Sequence, residues 1–192
     1  MSIATTRGDG GQTGLAGGIR VSKSSLRVDT YGNVDELIST LGFARAICED
    51  PEIVEFTRSV QRELFKIGSA LATPPESPKP QVLIDAGMVD RLTVEVHRLE
   101  VIEGMLSDWS IAGAHPAAAA LDVARTVCRR AERGVVRLNE AGEPVLPSIL
   151  AYLNRLSDLL WLFGRKLELD AGVSGSLRAE TGKAGNRWSR AW

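Results

Sequence analysis

The 192-residue sequence predicts an all-α fold, one bundle of five helices in mostly up-and-down order. Apolar residues recur at spacings of three and four in five segments, which is typical of helices that bury one face. No stretch alternates apolar and polar residues with a period of two, so no strand is predicted. We therefore expect one domain, with a leader over residues 1–30, the helical bundle over 31–170 and a tail over 171–192.

The leader is polar and rich in glycine, and we expect no regular secondary structure in it. Glycine permits positive φ angles and close approach of backbone amides to a ligand. The leader also offers hydroxyl groups and cations, which together have the chemistry of a phosphate-binding loop: Thr5, Thr6, Thr13, Arg7, Lys23 and Arg27. It matches neither a Walker A loop nor a dinucleotide fingerprint. A disordered tail is the open alternative.

The first three helices follow from apolar stripes and from the positions of proline. They are predicted over 35–48, 51–71 and about 86–106. Asp35 begins the first helix. Pro51 ends that helix and opens the second as its first residue. The proline-rich residues 73–81 form an extended connection to the third helix.

The fourth helix is predicted over 117–138 and holds an arginine-rich stretch, RTVCRRAER. Its apolar stripe comprises Leu121, Ala124, Cys128, Ala131, Val135 and Leu138. Arg125 and Glu132 lie at the edge of this stripe, with Arg129 and Arg133 on the same flank. Glu132 can reach two guanidinium groups, because Arg125 and Arg129 precede it by seven and three residues. With Arg130 included, positive charge remains in surplus, and arginine suits phosphate oxygens. A solvated basic helix face is the open alternative.

The fifth helix is predicted over about 148–170 and carries Asn154 and Asp158, four residues apart on one face. Asn154 lies near the apolar boundary, where its amide needs a partner. That partner is either another helix, through a hydrogen bond, or a ligand. His97 and His115 are both assigned to structure.

Composition limits the classes of function. The net charge of −1 argues against wholesale binding to nucleic acid or to an anionic membrane. No apolar run has membrane-spanning length. Cys48 and Cys128 are expected to be reduced thiols of a cytoplasmic protein, and no protein metal site is predicted.

Three stretches carry a family resemblance: TTRGDGGQTGLAGGIRVSK…YGNVDEL, ARTVCRRAER and YLNRLSDLLW. In this order, over residues 3 to about 169, the chain resembles the PduO-type ATP:cob(I)alamin adenosyltransferases. The resemblance implies a homotrimer with active sites between subunits. It implies transfer of the 5′-deoxyadenosyl group of ATP to the cobalt of cob(I)alamin, with Mg²⁺ required. The products would be adenosylcobalamin and triphosphate, and the implied partners are a flavoprotein reductase and an adenosylcobalamin-dependent enzyme.

The resemblance also assigns residues. The ATP site would comprise Thr5, Thr6, Arg7, Gly8, Thr13, Gly14, Lys23, Arg129, Arg130, Glu132, Arg133 and Asn154. Asp35 would pair with Arg125 across the subunit interface. In the family, an aromatic residue before helix four occupies the lower face of the corrin and excludes the axial ligand, and here that residue is Trp109.

The sequence departs from the family pattern at three places. The Trp109 loop reads WSIAGA where the family has F-I-L-P-G-G. The leader reads T-T-R-G-D-G-G where T-R-T-G-D-K-G is common, and Asp122 stands where histidine is common.

Two other functions are alternatives to the adenosyltransferase. The altered WSIAGA loop leaves open a relative that binds ATP or delivers adenosylcobalamin without efficient turnover. A carboxylate-bridged di-metal bundle needs Glu-x-x-His motifs, and the sequence contains none.

Overall fold

The computed structural model describes residues 3–107, 110–173 and 175–176, which form five helices and one small sheet. The strands are β1 (Gln12–Gly14) and β2 (Arg20–Ser22), and the helices are α1 (Leu26–Ala46), α2 (Pro51–Leu71), α3 (Ala86–Glu100), α4 (Pro116–Glu140) and α5 (Pro147–Asp170). The five predicted helices are confirmed. The expectation of a purely helical chain is wrong in one respect, because the two strands lie inside the leader.

The leader folds into a short antiparallel hairpin, in which Thr13 pairs with Val21. Each strand has three residues, too few for a period of two to show in the sequence. The hairpin packs on the end of α2, where the Ala16 amide donates to the Ala72 carbonyl at 2.9 Å. Gly17 closes the turn with a φ of +86°. The leader is therefore an ordered part of the fold from residue 3 onward, which removes the disordered-tail alternative for these residues.

Helix α1 begins at Leu26, nine residues before the predicted start, so Asp35 lies in the helix interior and not at its beginning. The inward face of the first two turns is polar, so the sequence shows no apolar helical periodicity there. Arg27, Thr30 and Asn33 are all buried there. The Thr30 hydroxyl bonds the Leu26 carbonyl of its own helix at 2.7 Å. Polar groups with partners both in α1 and farther along the chain thus take the place of an apolar stripe.

Helix α3 ends at Glu100, six residues before the predicted end. The chain then turns through Gly104, whose φ of +86° is incompatible with a continuing helix. The apolar residues after Glu100 suggested more helix, and Met105 is indeed buried, but from a turn. The other predicted helix ends differ from the structure by two residues or fewer.

Helix α4 lies at the centre of the bundle, between α1 and α5, while α2 packs on α1 and α3 packs on α5. Its predicted inward stripe is confirmed, because all six residues are buried: Leu121, Ala124, Cys128, Ala131, Val135 and Leu138. Helices α1 and α4 approach closely at Gly134, whose carbonyl accepts a hydrogen bond from Thr30 at 3.2 Å. Among the described residues, no helix is long and apolar enough to cross a membrane.

Candidate active site

A polar surface lies where α4 and α5 face solvent side by side, and we call Arg125, Arg129, Glu132, Asn154 and Asp158 the α4/α5 face. The Asn154 amide donates to Glu132 Oε1 at 3.1 Å. The interhelical hydrogen bond that was one of the two alternatives for Asn154 is therefore present. It fixes the Glu132 carboxylate on the solvent side of the two helices.

Arg129 is half-buried on this face, and no hydrogen bond or ion pair joins its guanidinium to another residue in the described ranges. Its charge nevertheless acts on its surroundings. Burial raises the pKa of the Asp158 carboxyl, and the charges of Arg155 and then Arg129 oppose that shift. Burial also raises the pKa of the Cys128 thiol, again against the charge of Arg129. Arg129 is thus a half-buried cation whose hydrogen-bond donors remain available for a ligand.

Arg125 has a different neighbour from the one predicted. Its Nε donates to Asp122 Oδ1 at 2.7 Å, one helical turn earlier. The described hydrogen bond of Glu132 goes to Asn154. The expectation that Glu132 would reach both Arg125 and Arg129 is therefore wrong, because two closer polar partners, Asp122 and Asn154, take up these groups.

Arg130 lies on the other flank of α4 and faces α1. It forms an ion pair with Glu36 and donates from Nε to Asn33 Oδ1 at 3.1 Å. Two turns later, Arg137 reaches Asp29 at 3.3 Å. The structure therefore does not bring Arg130 onto the α4/α5 face. Arg133 is exposed and has no ion pair among the described residues.

The leader presents a cation over its glycines. A side-chain carbon at Gly8 would lie 3.1 Å from Lys23 Nζ, so Gly8 leaves room for the Lys23 ammonium. The Lys23 amide donates to the Gly11 carbonyl at 2.9 Å, which closes this loop. Thr6 has a φ of +56°, which turns the chain before Arg7. The predicted leader residues Thr5, Thr6, Arg7, Gly8, Thr13, Gly14 and Lys23 thus belong to one compact loop and hairpin.

The Arg27 guanidinium is not available to bind a phosphate at the leader loop. It is 4% exposed, and its Nε donates to Glu143 Oε2 at 2.7 Å. Its Nη1 donates to the Leu71 carbonyl at 2.8 Å. A buried guanidinium held by two protein acceptors cannot reach a phosphate at the leader, so this sequence prediction is wrong.

The leader loop and the α4/α5 face are not joined within one chain. No hydrogen bond or ion pair described for residues 5–23 goes to α4 or α5. Asp35 lies exposed on α1. Trp109 lies outside the described residues.

Asn154 and Asp158, which are predicted to share one face of α5, are both exposed there. Sequence reasoning missed Arg155, which donates to Asp158 Oδ2 at 3.1 Å and to Thr93 Oγ1 at 3.2 Å. The spacing of three between Arg155 and Asp158 is the available signal. His97 is exposed, and His115 caps α4 by accepting from the Ala118 amide at 3.4 Å. The described residues contain no cluster of three or more metal-ligating side chains.

Comparisons with known proteins show the family to which the chain is similar. Residues 3–167 match the family model for cobalamin adenosyltransferase. A cobalamin adenosyltransferase of Cupriavidus metallidurans is 38% identical over 176 residues, which is 90% of this chain and 91% of that protein. A corrinoid adenosyltransferase of Bacillus subtilis is 36% identical over 177 residues, 90% of each chain.

The fold comparison leads to the same family. A variant PduO-type ATP:corrinoid adenosyltransferase from Lactobacillus reuteri, complexed with cobalamin and ATP, superposes with a TM-score of 0.86 at 29% identity. The match covers 92% of this chain and 97% of that one. The resemblance drawn from the three sequence stretches is confirmed.

Proposed function

The chain belongs to the cobalamin adenosyltransferase family, and on this premise we propose that it transfers the 5′-deoxyadenosyl group of ATP to the cobalt of cob(I)alamin. The structural observation that supports this function most is Arg129. It is a half-buried arginine with uncommitted donors, beside the Glu132–Asn154 pair. Such a group suits the developing charge of a triphosphate leaving group.

The reaction requires little acid–base catalysis by the protein. A bond forms between cobalt and C5′ of ATP, the C5′–O bond breaks, and its electron pair leaves with the triphosphate. Because cob(I)alamin is itself a strong nucleophile, the protein mainly orients ATP and stabilises the leaving charge. In our proposal the leader loop and Lys23 bind one part of the triphosphate and Arg129 another. Mg²⁺ would be carried into the site by the phosphate oxygens of ATP, because this ion usually binds through substrate phosphates.

We propose further that each active site forms between two subunits of a homotrimer. One chain supplies the leader loop and its neighbour supplies the α4/α5 face, since the two are not joined within a chain. The outward surface of α1 and α4 supports assembly. Phe43 is 63% exposed and Val123 is 55% exposed. The ion pairs Glu36–Arg130 and Asp29–Arg137 set an antiparallel register of α1 and α4, which brings these two residues to the same level of the bundle.

Asp35 is exposed on α1, and its carboxylate has no described hydrogen bond or ion pair. A neighbouring Arg125 could therefore be its partner, as the resemblance implies. Arg125 would then be shared with Asp122, which already holds it at 2.7 Å. Asp122 is the position where the family commonly has histidine, so this sharing would be particular to chains with an acid there.

Mixing two inactive variants tests the intersubunit site. We expect Lys23→Ala and Arg129→Ala to be inactive separately, each in a different half of the site. In trimers reassembled from equal amounts, about a quarter of the sites would receive both intact halves. Recovery of about that fraction of activity supports the proposal. No recovery, in mixed trimers verified by mass, would place both residues in one chain's site.

Phe43→Asp tests the assembly surface. A buried charge at this position would dissociate the trimer, as measured by sedimentation equilibrium. The matched control is Phe65→Asp, because this phenylalanine is also exposed but belongs to α2 and not to α1 or α4. If both variants remain trimeric, α1 is not the interface.

Product analysis tests the reaction. The proposal predicts adenosylcobalamin together with intact triphosphate when reduced cobalamin and Mg-ATP are supplied. Tight ATP binding without either product would favour the binding or delivery function that the WSIAGA loop left open. The proposed setting is the cytoplasm, with a flavoprotein reductase upstream and an adenosylcobalamin-dependent enzyme downstream.

A further inference from the structure

The connection between α3 and α4 contacts the segment that follows α5. Ser110 of this connection lies opposite Ser176 in an isolated antiparallel bridge. The Ile111 amide donates to the Gly175 carbonyl at 2.7 Å. Residues 110–111 are therefore held by a part of the chain that is distant in sequence.

Glycine at position 175 allows the two backbones to approach closely. A Cβ at Gly175 would lie 2.6 Å from Ser110 Oγ and would also collide with the Ile111 carbonyl oxygen. Any side chain at this position would therefore push the two segments apart. The segment is in turn tied to α5, because the Val173 amide donates to the Glu168 carbonyl at 3.0 Å. The bridge thus fixes residues 110–111 relative to the end of α5.

A buried carboxylate on α5 supports the same contact. Glu168 is 3% exposed and forms an ion pair with Arg165, one helical turn earlier. The Ser110 hydroxyl lies 3.3 Å from Glu168 Oε2 and 3.4 Å from the Ile111 carbonyl oxygen. A hydroxyl has one proton to donate and a carboxylate is the stronger acceptor, so Ser110 donates to Glu168. The described partners of this carboxylate, Ser110 and Arg165, thus both bind Oε2.

This arrangement fixes a geometry more than it adds stability. Removing Glu168 from water costs free energy that pairing with Arg165 offsets only in good geometry, so a buried ion pair is weak evidence for stability. Outside α5, the described group that the Glu168 side chain holds is the Ser110 hydroxyl. Ser110 directly follows Trp109 in the sequence. The resemblance assigns that tryptophan to the lower face of the corrin.

We propose that Glu168 is a positioning residue for cobalamin and that it acts through Ser110. Its carboxylate, oriented by Arg165, holds the Ser110 hydroxyl, and the backbone bridge to residues 175–176 holds the main chain. The loop that carries Trp109 is thereby anchored to α5 on its C-terminal side. In this role Glu168 touches no reacting atom, so its loss affects the use of cobalamin and not that of ATP. The inference rests on the proposed adenosyl transfer and on the role of Trp109 in it.

Removing the Ser110 hydroxyl tests this role while the Glu168–Arg165 pair stays intact. We expect Ser110→Ala to lower kcat/KM for cobalamin about tenfold, in line with one lost hydrogen bond to a charged group, and to leave the KM for ATP unchanged. The matched control is Ser107→Ala. Ser107 belongs to the same connection, but its hydroxyl donates to the nearby Gly104 carbonyl at 2.8 Å. The control should retain both constants.

Two further variants disrupt the contact from the other side. Gly175→Ala should act like Ser110→Ala, because the added Cβ displaces the Ser110 hydroxyl. Glu168→Gln removes the charge and should also lower kcat/KM for cobalamin. Combined with Ser110→Ala it should cause little additional loss, because both changes break one interaction. Hydrogen exchange of the Ile111 amide reports the contact without any substrate, and it should be faster in these three single variants than in Ser107→Ala.

The outcomes separate the positioning role from the reaction itself. An active original chain whose Ser110→Ala and Gly175→Ala variants keep their kcat/KM for cobalamin would overturn the positioning role. A KM for ATP that rises as much as the cobalamin constant falls would also overturn it, and additive losses in the double variant would show that Glu168 does not act through Ser110. An original chain that forms no adenosylcobalamin would overturn the proposed function and this role with it, even if hydrogen exchange confirms the contact.

Discussion

Replacing Arg129 with alanine should separate catalysis from stability. Arg129 has no described hydrogen bond or ion pair to lose, and it lies at the helix surface. The free energy of unfolding should therefore change by about 0.5 kcal/mol or less. If Arg129 stabilises the leaving triphosphate, kcat should fall about a hundredfold to a thousandfold, which corresponds to about 2.7–4 kcal/mol of transition-state stabilisation.

The control is Arg137→Ala on the same helix. Arg137 has an exposed ion pair with Asp29 at 3.3 Å and lies on the flank that faces α1. Exposed pairs contribute about 1 kcal/mol or less to stability, so this variant should keep its turnover. Arg129→Lys should recover only part of the activity, because lysine retains the charge but lacks the planar fork of donors.

The assay is steady-state turnover with reduced cobalamin and Mg-ATP, run beside thermal unfolding of each variant. A kcat near that of the original chain in Arg129→Ala would remove this residue from the mechanism. A large loss of stability in the same variant would show instead that Arg129 has a structural partner, and the activity loss would then be indirect.

Three further predictions concern the leader, acid stability and the thiols. Gly17→Ala should raise the KM for ATP more than Gly18→Ala. Both glycines have a positive φ, but only a Cβ at Gly17 would meet the proline-rich connection, 2.6 Å from Pro78 Cδ. Equal effects on the KM would show that docking of the hairpin on this connection is unimportant. Asp50 caps α2 and binds Lys166 at 2.9 Å; burial acts to raise its pKa, but the α2 amides and Lys166 outweigh this, so the pKa is lowered from 3.8. The charge of Asp50 therefore stabilises the fold above about pH 4 and ceases to do so as the pH falls through the lowered pKa. The Asp50→Asn variant should have a lower free energy of unfolding than the original chain at neutral pH, and the two values should converge in acid. Stability curves that remain parallel in acid would contradict this. Burial raises the pKa of both thiols, but Cys128 is buried and Cys48 is only half-buried, so a thiol reagent should modify Cys48 first. Mass spectrometry showing Cys128 modified equally fast in the native protein would refute the burial argument.

The sequence predicts helices well where their inward faces are apolar. The α4 stripe around Cys128 is an example, because each of its inward residues is apolar and each is buried. Prediction fails at the start of α1, where the inward residues are Arg27, Thr30 and Asn33. Their burial depends on partners distant in the chain, such as Glu143 and Gly134, and no local pattern reveals those contacts.

In the candidate site, too, the sequence predicts some positions correctly and fails at others. The sequence correctly places Glu132 and Asn154 on facing helices but cannot tell adjacent arginines apart. Arg129 and Arg130 differ by 100° around the helix, and only the packing of α1 shows that Arg130 meets Glu36. The spacing of three between Asp122 and Arg125 also permits an ion pair, and only the structure shows that Asp122, not the more distant Glu132, is the partner of Arg125. Choices among charged partners depend on tertiary geometry.

Adenosyl transfer from ATP to cobalamin is tested most directly by one anaerobic measurement. The purified chain is mixed with chemically reduced cob(I)alamin and Mg-ATP, and the cob(I)alamin absorbance is followed while triphosphate is quantified. If the chain catalyses this transfer, one triphosphate forms for each cob(I)alamin converted to adenosylcobalamin. An unchanged cob(I)alamin spectrum, or ATP cleaved to diphosphate and phosphate, would contradict it.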